Sequence, residues 1–354
     1  MGKLPVPEDQ LRAWAQCLMD PSAKLVDRAR SLWGLRHAGE KLAVSLIAGF
    51  LNDVVEPSPV SNVLLQHEAA YCLGQRGDCE AVPCLIQVMR DARHHPVVRH
   101  EAGEALAALC GCSGVDLNKI EQALKEFVDC DVVELSDTCK VGLGRLQWVR
   151  ENLGALPIDD IAHRFFPDTT DPAPSLEPAS RPPCDKLRDM MMDPKLPLYT
   201  RYRALFSIRD CVLEGELHHP TNPEAFNKPA GMLAEGLAAP GSALLRHEVA
   251  YVLGQLTIKD TVPQLERCLR LTTEHPMVRH EAAEALGAVL GEIEAHAHES
   301  PEQNDEKIIE MAQNVLRDYL GDKEAVVRES CVLALDMADY VSSSEQFQYA
   351  AVPS

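Results

Sequence analysis

The sequence predicts an all-α solenoid of stacked helix pairs, built as two similar halves. Three observations support this fold class. A His-Glu motif recurs after 33 residues, since His67 and His100 are 33 positions apart, as are His247 and His280. The whole arrangement returns 180 residues later, and no stretch shows the sustained alternation that β-strands require. A period near 33 residues with helical content is typical of helix-pair repeats of the HEAT type.

The duplication can be read directly from two pairs of segments. Residues 63–75 read VLLQHEAAYCLGQ, and residues 243–255 read ALLRHEVAYVLGQ. Residues 97–106 read VVRHEAGEAL, and residues 277–286 read MVRHEAAEAL, at the same spacing of 180. We therefore expect about four helix pairs in each half, with the two halves related by pseudo-twofold symmetry.

Two further features fix the position of individual helices. The tripeptide MDP occurs at 19–21 and again at 192–194, so the correspondence extends upstream of the His-Glu motifs. Pro83 and Pro263 occupy equivalent places, at which the first helix of a pair should begin, because the first turn of a helix tolerates proline.

The chain divides into an N-terminal half at 10–153, a linker at 154–184 and a C-terminal half at 185–340. The linker holds many of the 24 prolines, which disfavour a helix, and it is predicted to be extended. A polar stretch at 292–306 is predicted to be an exposed loop in the second half.

Composition indicates which kinds of partner the protein could bind. With 34 basic and 54 acidic residues, the formal net charge is −20, which disfavours nucleic acid and favours a cationic partner.

No apolar run is long enough for a membrane span, and no secretory signal is read. The 12 cysteines are scattered without a CxxC pair, as expected of reduced thiols rather than a zinc ribbon. We expect a cytoplasmic protein, with a nuclear location as the alternative.

Four of the 13 histidines are followed by glutamate, and they stand at equivalent places in the repeat: His67-Glu68, His100-Glu101, His247-Glu248 and His280-Glu281. On a helical projection each histidine falls opposite the apolar stripe, so we expect it to leave the core and face the open side of the solenoid. A single such pair would be an ordinary solvated surface pair. Four pairs in register are better explained by a function.

Neighbouring helices of such a stack lie about 8–10 Å apart, so two histidines on adjacent helices can reach one metal ion. One adjacent carboxylate would complete a two-His-one-carboxylate set, which is typical of non-haem Fe(II). One set in each half would make a two-metal site if the halves face each other. The spacing alone does not choose between the two glutamates of each half. A zinc-protease HExxH motif is excluded, because the fourth position after each histidine is not histidine: Tyr71, Glu104, Tyr251 and Glu284.

The doubled pattern LLxHExAYxLGQ and VRHEAxEAL resembles the deoxyhypusine hydroxylases, which are HEAT-repeat di-iron monooxygenases. The resemblance extends over about 12–348, and the 292–306 insertion departs from shorter family members. It implies hydroxylation of the deoxyhypusine side chain of translation initiation factor 5A to hypusine, with O₂, two Fe(II) ions per chain and an external reductant that the resemblance does not identify.

The resemblance also assigns roles to the residues of the four motifs. It implies that one iron is held by His67, His100 and Glu101, and the other by His247, His280 and Glu281. It implies that Glu68 and Glu248 are the catalytic residues that bind the substrate. Two alternatives remain: a non-enzymatic HEAT-repeat scaffold that binds a basic protein, and a bilin lyase with similar repeats.

Overall fold

The protein is all-helical, as the periodicity predicts. A computed structural model describes residues 5–53, 62–152, 161–167, 169–296 and 305–342. Throughout these ranges the secondary structure consists of α-helices and short 3₁₀ turns, with no β-strand. None of the helices described is both long and apolar enough to cross a membrane. The chain forms two compact units, unit 1 (Met1–Pro174) and unit 2 (Ser175–Ser354).

Unit 1 contains four consecutive helix pairs. They are α1 (Glu8–Met19) with α2 (Leu25–His37), α3 (Lys41–Asp53) with α4 (Val63–Arg76), α5 (Val82–Arg90) with α6 (Pro96–Ala108), and α7 (Leu117–Lys125) with α8 (Val133–Glu151). The second helices form one layer, in which α4 packs on α2 and α6, and α6 packs on α8. The first helices form the other layer, in the order α1, α3, α5, α7.

Unit 2 repeats this arrangement after a short helix, α9 (Ile161–Phe165), that precedes it in unit 1. Its pairs are α10 (Cys184–Met192) with α11 (Leu198–His218), α12 (Glu224–Glu235) with α13 (Ala243–Leu256), α14 (Val262–Arg270) with α15 (Pro276–His296), and α16 (Asp305–Asp318) with α17 (Ala325–Ser342). In the second-helix layer, α13 packs on α11 and α15, and α15 packs on α17. Pro83 and Pro263 are the second residues of α5 and α14, which confirms their expected place.

The structure corrects two of the expected loops. The 154–184 segment is not wholly extended, because it contains α9 and a 3₁₀ turn at Pro178–Ser180. The 292–306 stretch is largely helical in its described part, since α15 continues to His296 and α16 begins at Asp305. Ile293 is buried and extends the apolar face of α15, while Asp305 receives an ion pair from Lys259 at 2.9 Å. These contacts outweigh the polar composition, and residues 297–304 lie outside the described residues.

A buried arginine fixes the turn inside four of the helix pairs. In each case an arginine near the start of the second helix donates from Nε to the carbonyl ten residues earlier, the penultimate residue of the first helix. The donor–acceptor pairs are Arg28 to Leu18, Arg99 to Met89, Arg201 to Met191 and Arg279 to Leu269, at 2.8–3.0 Å. The guanidinium satisfies a carbonyl that a helix end leaves open and complements the negative end of the helix dipole.

Arg279 joins two consecutive repeats as well as the two helices of its own pair. Its Nη2 pairs with Oδ2 of Asp322 at 2.6 Å, and both side chains are almost fully buried. Burial by itself would raise the pKa of Asp322, but the hydrogen bonds from Arg279 and from the Glu324 backbone N–H outweigh it and hold the pKa below its usual range. Arg279 directly precedes His280, so the same turn of α15 that anchors the repeat also carries a motif histidine.

We expect Arg279→Ala to lower the free energy of unfolding by about 3–5 kcal/mol, because it leaves the Asp322 carboxylate buried without its cation. Urea denaturation followed by circular dichroism measures the change. Arg12→Ala is the control, since Arg12 pairs with Glu8 on an exposed helix face and should matter little. Equal stability of the two variants would contradict the anchoring role of Arg279.

Candidate metal centre

Two equivalent helices of the second-helix layer each carry one His-Glu motif in their second turn. In α4, Asn62 caps the N-terminus by accepting a hydrogen bond from the Leu65 backbone N–H at 2.9 Å, and His67 and Glu68 follow. In α13, Ser242 makes the same cap to Leu245 at 3.3 Å. The caps fix where each helix begins and therefore which way the motif side chains point.

The next second-layer helix in each unit carries the other motif. Helices α6 and α15 begin at a proline, with a histidine as N-cap. His95 and His275 each accept a hydrogen bond at Nδ1 from the backbone N–H two residues on, at 3.2 Å. The motif pattern does not include these two histidines, and in the structure they cap the helices that follow them.

In unit 1 the structure brings three of the predicted residues together. His67, His100 and Glu101 offer ligand atoms that all lie within 4.8 Å of one another. The two imidazole rings are 5.6 Å apart between centroids, and His67 Nε2 lies 3.3 Å from Glu101 Oε2. The fourth predicted residue, Glu68, accepts a hydrogen bond from His67 Nδ1 at 3.2 Å, so it contacts the opposite edge of the same ring.

Unit 2 reproduces two of these distances to within 0.2 Å. The His247 and His280 rings are 5.4 Å apart, and His247 Nε2 lies 3.2 Å from Glu281 Oε2. Glu248, the partner of Glu68 in the repeat, is buried in α13 with 1 % of its surface exposed. The two units therefore share the pairing of the two rings and the contact of the first histidine with the second glutamate.

Glu284 also belongs to this region, although the sequence pattern does not predict it as a site residue. His280, Glu281 and Glu284 also offer ligand atoms within 4.8 Å of one another. Glu284 Oε1 lies 3.3 Å from His280 Nδ1 and accepts a hydrogen bond from Ser330 Oγ at 2.7 Å. The signal was present, since Glu284 stands one helical turn after His280 and therefore on the same face.

The burial of these side chains differs from the expectation that they face an open side. The exposed fraction is 4 % for His67, 0 % for His100 and His280, and 6 % or less for Glu101 and Glu281. A projection of one isolated helix identifies the face away from the apolar stripe, but it does not show which other part of the protein covers that face. Buried carboxylates and imidazoles require partners of opposite or complementary charge, so a clustered arrangement is the physical consequence.

In unit 1 the clustering raises the pKa of one histidine. Burial by itself would lower the pKa of His67, but the carboxylates of Glu101 and Glu68 outweigh it and hold the pKa well above its usual range. The cluster thus already favours positive charge at the position between the two glutamates.

The spacing of the two motif-bearing helices is set by a contact between small residues. A Cβ atom added to Gly74 of α4 would lie 2.8 Å from the Cα of Ala105 in α6. In unit 2, a Cβ on Gly254 of α13 would lie 3.0 Å from the Cα of Ala285 in α15. Each glycine follows its motif histidine by seven residues, which is close to two helical turns and therefore the same face. The contact that joins the helices and the His-Glu cluster belong to one interface.

The donor set fits a divalent transition metal. Two imidazoles and a carboxylate, buried and within 4.8 Å of one another, are the ligand types that non-haem iron uses while keeping positions open for other ligands. His67, His100 and Glu101 could hold such an ion in unit 1, and His247, His280 and Glu281 are the corresponding residues of unit 2. The cysteines do not contribute, since no cysteine of the described residues belongs to these clusters.

A HEAT-repeat protein with a His-and-carboxylate cluster in each unit is the class that the fold and the site define. Comparison with known proteins agrees. The HEAT repeats family matches residues 232–336. Deoxyhypusine hydroxylase of Bos taurus is 40% identical over 346 residues, which cover 98% of this chain and 96% of the bovine protein. Deoxyhypusine hydroxylase of Homo sapiens is 38% identical over 350 residues, with the same shares of each chain covered.

A solved structure gives the same answer at the level of the fold. Human deoxyhypusine hydroxylase in complex with glycerol matches with a TM-score of 0.74 at 38% identity, covering 94% of this chain and 96% of that one. The chain belongs to the deoxyhypusine hydroxylase family. The resemblance drawn from the doubled motifs is therefore confirmed, as is the all-α HEAT-type fold.

We expect Gly74→Ala to push α4 and α6 apart, because the new methyl group meets backbone atoms rather than a flexible side chain. Overpacking of this kind costs about 1–3 kcal/mol of unfolding free energy, and the displaced helices should also bind a divalent metal more weakly in unit 1. Urea denaturation and calorimetric titration with Fe(II) or Co(II) under anaerobic conditions measure both effects.

The matched control is Gly49→Ala in α3, where an added Cβ meets nothing within 4 Å. That variant should be as stable as the parent protein or more so, because alanine has the higher helix propensity. If Gly74→Ala behaved like Gly49→Ala in both measurements, the small-residue contact would not set the geometry of the cluster.

Proposed function

We propose that this protein is a non-haem di-iron monooxygenase that hydroxylates the deoxyhypusine side chain of a protein substrate to hypusine. One observation carries the proposal: the same His-and-carboxylate cluster is built twice, with His Nε2 to Glu Oε2 distances of 3.3 and 3.2 Å. Membership of the deoxyhypusine hydroxylase family supplies the reaction, and the duplicated cluster supplies the residues that could support it.

The ligand assignment is the one that the family resemblance implies, and the geometry of each unit supports it. His67, His100 and Glu101, whose ligand atoms lie within 4.8 Å of one another, would hold one Fe(II) in unit 1. The second Fe(II) would be held by His247, His280 and Glu281, where the two rings are 5.4 Å apart and His247 Nε2 lies 3.2 Å from Glu281 Oε2. When bound, the two irons supply the redox capacity to activate O₂ for insertion into an unactivated C–H bond, with electrons from an external reductant. Histidine and carboxylate ligands suit both common oxidation states of iron.

The protein's own contribution is to hold these ligands and to exclude water. Both pairs of histidines lie in closely packed helices with almost no exposed surface, so their rings have little freedom to turn. In unit 2, Ser330 hydrogen-bonds to Glu284, which contacts His280 Nδ1, and this chain of contacts directs the other ring nitrogen of His280 away from Glu284. A dry and rigid setting strengthens the electrostatic interactions made within it.

Glu68 and Glu248 are assigned to the substrate. Deoxyhypusine carries two amines, and alkyl amines of this kind are cationic near neutral pH, with pKa values around 10. A carboxylate that accepts a charge-assisted hydrogen bond from an ammonium holds and orients the side chain. In unit 1, Glu68 keeps 14 % of its side chain accessible, more than the ligand candidate Glu101 at 4 %, which suits a residue that meets a substrate. Glu248 is buried, with 1 % of its surface exposed, so its assignment rests on its equivalence to Glu68 in the repeat.

The substrate protein that we propose is translation initiation factor 5A in its deoxyhypusine form. The formal net charge of −20 agrees in sign with a polycationic side chain and its surroundings. We place the protein in the cytoplasm, with the nucleus as a second location. A purely structural HEAT-repeat scaffold is less well supported, because it has no use for two buried clusters of metal-ligand residues.

Metal content and turnover test the proposal together. The full-length protein, purified without added metal, should contain about two irons per chain by mass spectrometry of the metals. With a reductant and O₂, it should add one oxygen atom to the deoxyhypusine residue of factor 5A, as seen by mass spectrometry of the substrate peptide. Stoichiometric zinc, or iron-loaded protein with no oxygen transfer, would contradict the proposal.

Two variants separate the roles of the glutamates from those of the ligands. His100→Ala should lose the unit 1 iron, so that iron content falls by about half, because the histidine contributes one of three ligand side chains. Glu68→Ala should retain both irons but lower kcat/KM by about 10- to 100-fold, the range expected when a hydrogen bond to a charged group is removed.

The control for these variants is Glu216→Ala, which removes an exposed carboxylate near the C-terminus of α11, a helix that carries no His-Glu motif. It should leave iron content and turnover unchanged. The role assigned to Glu68 is wrong if Glu68→Ala empties the unit 1 site, since Glu68 would then act as a ligand.

A further inference from the structure

An ion pair in unit 2 joins the two helices that carry the metal-ligand candidates. Arg246 lies in α13, directly before His247. Glu274 lies two residues before the start of α15, the helix that carries His280 and Glu281. The guanidinium and the carboxylate make two parallel hydrogen bonds, Nε to Oε2 at 2.8 Å and Nη2 to Oε1 at 2.7 Å, and both side chains are largely buried. A bidentate arginine–carboxylate pair of this kind is a strong and geometrically specific contact.

Each partner of this ion pair is also bound to the beginning of its own helix. Arg246 Nη1 donates to the carbonyl oxygens of Ala239 and Ser242, at 3.0 and 3.2 Å, and Ser242 is the N-cap of α13. Glu274 Oε1 accepts from the backbone N–H of His275, the residue that precedes α15, at 2.6 Å. The ion pair therefore fixes the start of α13 relative to the start of α15.

Unit 1 carries uncharged residues at the same two positions. By the 180-residue repeat, Arg246 corresponds to Gln66 and Glu274 corresponds to His94. His94 Nδ1 lies 3.4 Å from Gln66 Oε1, and both side chains are buried. Burial lowers the pKa of His94, so its ring is neutral near neutral pH. The contact between α4 and the turn before α6 is thus a long hydrogen bond between neutral groups, which is weaker than the ion pair of unit 2.

A second contact to the ligand-bearing helices differs between the units in the same direction. In unit 2, Ser330 Oγ donates to Glu284 at 2.7 Å, and Glu284 Oε1 lies 3.3 Å from His280 Nδ1. Thr138 of α8 corresponds to Ser330 of α17, since each directly precedes a buried cysteine in equivalent helices. The described part of the chain offers Thr138 Oγ1 no hydrogen-bond partner. A ligand candidate of unit 2 is therefore held through a hydroxyl that does not play this part in unit 1.

These contacts bear on metal binding because the ligands of one ion come from two helices. In unit 2, His247 is supplied by α13, and His280 and Glu281 are supplied by α15. Ligands that are held in place beforehand lose less conformational freedom when the ion binds, so the ion binds more tightly. Groups that hold metal ligands from outside the coordination sphere typically change metal affinity by about 10- to 100-fold when they are replaced.

We propose that Arg246 and Glu274 are positioning residues of the unit 2 metal centre, and that the two centres of this protein are unequal as a result. The unit 2 centre binds a divalent transition metal about 10-fold or more tightly than the unit 1 centre, so it fills first and empties last. This inference rests on the ligand assignment of the proposed function, and it adds the order in which the two ions are bound and released.

Two single-site variants measure each centre by itself. His100→Ala leaves the unit 2 ligands intact, and His280→Ala leaves the unit 1 ligands intact. Each metal-free, full-length protein is titrated calorimetrically with Co(II) under anaerobic conditions, and its folding is checked by circular dichroism. We expect the Kd for Co(II) to be about 10-fold lower, or more, in the His100→Ala protein. The parent protein should show the same difference as two successive binding steps, which gives the answer even if a variant does not fold.

Replacement of the ion pair tests the cause of the difference. Arg246→Gln with Glu274→His, made in the His100→Ala protein, gives unit 2 the residues of unit 1 and should weaken Co(II) binding by about 10-fold. The visible absorption of bound Co(II) should also change, because it depends on where the ligands lie. A change in overall stability alone would leave the spectrum of the bound ion as it is in the parent protein.

The reciprocal replacement gives the ion pair to unit 1. Gln66→Arg with His94→Glu, made in the His280→Ala protein, should strengthen Co(II) binding. The matched control is Arg270→Gln, because Arg270 pairs with Asp318 at 3.0 Å between two first-layer helices of unit 2, which carry no ligand candidate. That variant should leave the Co(II) affinity of both centres unchanged.

The outcomes separate this proposal from the function on which it rests. If neither single-site variant binds Co(II), the ligand assignment is wrong and this proposal fails with it. If the two centres bind Co(II) equally, or unit 1 binds it more tightly, the ligand assignment stands and this proposal alone is overturned. The proposal is also overturned if unit 2 keeps its affinity after Arg246 and Glu274 are replaced, since neither residue would then position the ligands.

Discussion

The close approach of neighbouring second-layer helices is the constraint on which the rest of the site depends. Gly74 against Ala105, and Gly254 against Ala285, leave no room for even a methyl group between the backbones. Larger residues at these points would hold the helices at an ordinary separation, and the rings of His67 and His100 would no longer be 5.6 Å apart. Each glycine shares a helix face with its motif histidine. The same interface therefore sets the separation of the two helices and holds the His-Glu cluster.

The arginines in the turns supply the complementary constraint. A short contact between two helices can be relieved by sliding or rotation unless something fixes their register. The hydrogen bond from Arg99 to the Met89 carbonyl, and its counterpart from Arg279 to Leu269, tie the start of α6 and α15 to the preceding helix one residue before the motif histidines. Rotation of α6 or α15 would break a charge-assisted hydrogen bond in the interior, which is far more costly than breaking one at the surface. Packing and polar anchoring therefore act on the same turn.

The sequence predicted what repeats and missed what depends on neighbouring helices. The helix pairs, and the equivalence of the four His-Glu motifs, follow from spacing alone, because each sequence repeat of a solenoid folds into one structural repeat. The burial of His67 and Glu101 was not predictable from a single helix, since it depends on what covers the polar face. Glu284 was missed for a related reason: its significance comes from Ser330, two helices later in the chain. The 292–306 stretch was wrongly predicted to be a loop because its composition is polar. The burial of Ile293 and the ion pair of Asp305 stabilise helix there instead.

The clusters also explain why a cation belongs at these places. Glu101 is almost fully buried, and a buried carboxylate is strongly unfavourable without a positive partner. In the protein alone, His67 is the positive partner of Glu101, and this pairing helps to raise the pKa of its ring. A divalent cation at the same position would bring more charge than one imidazolium and would leave His67 neutral, as a metal ligand must be. His67 thus neutralises the buried carboxylate of Glu101 in the protein alone. The same ring would lose its proton and become a ligand when a metal ion binds. Because such an ion would bind only the assembled helices, its binding energy would add to the stability of each unit.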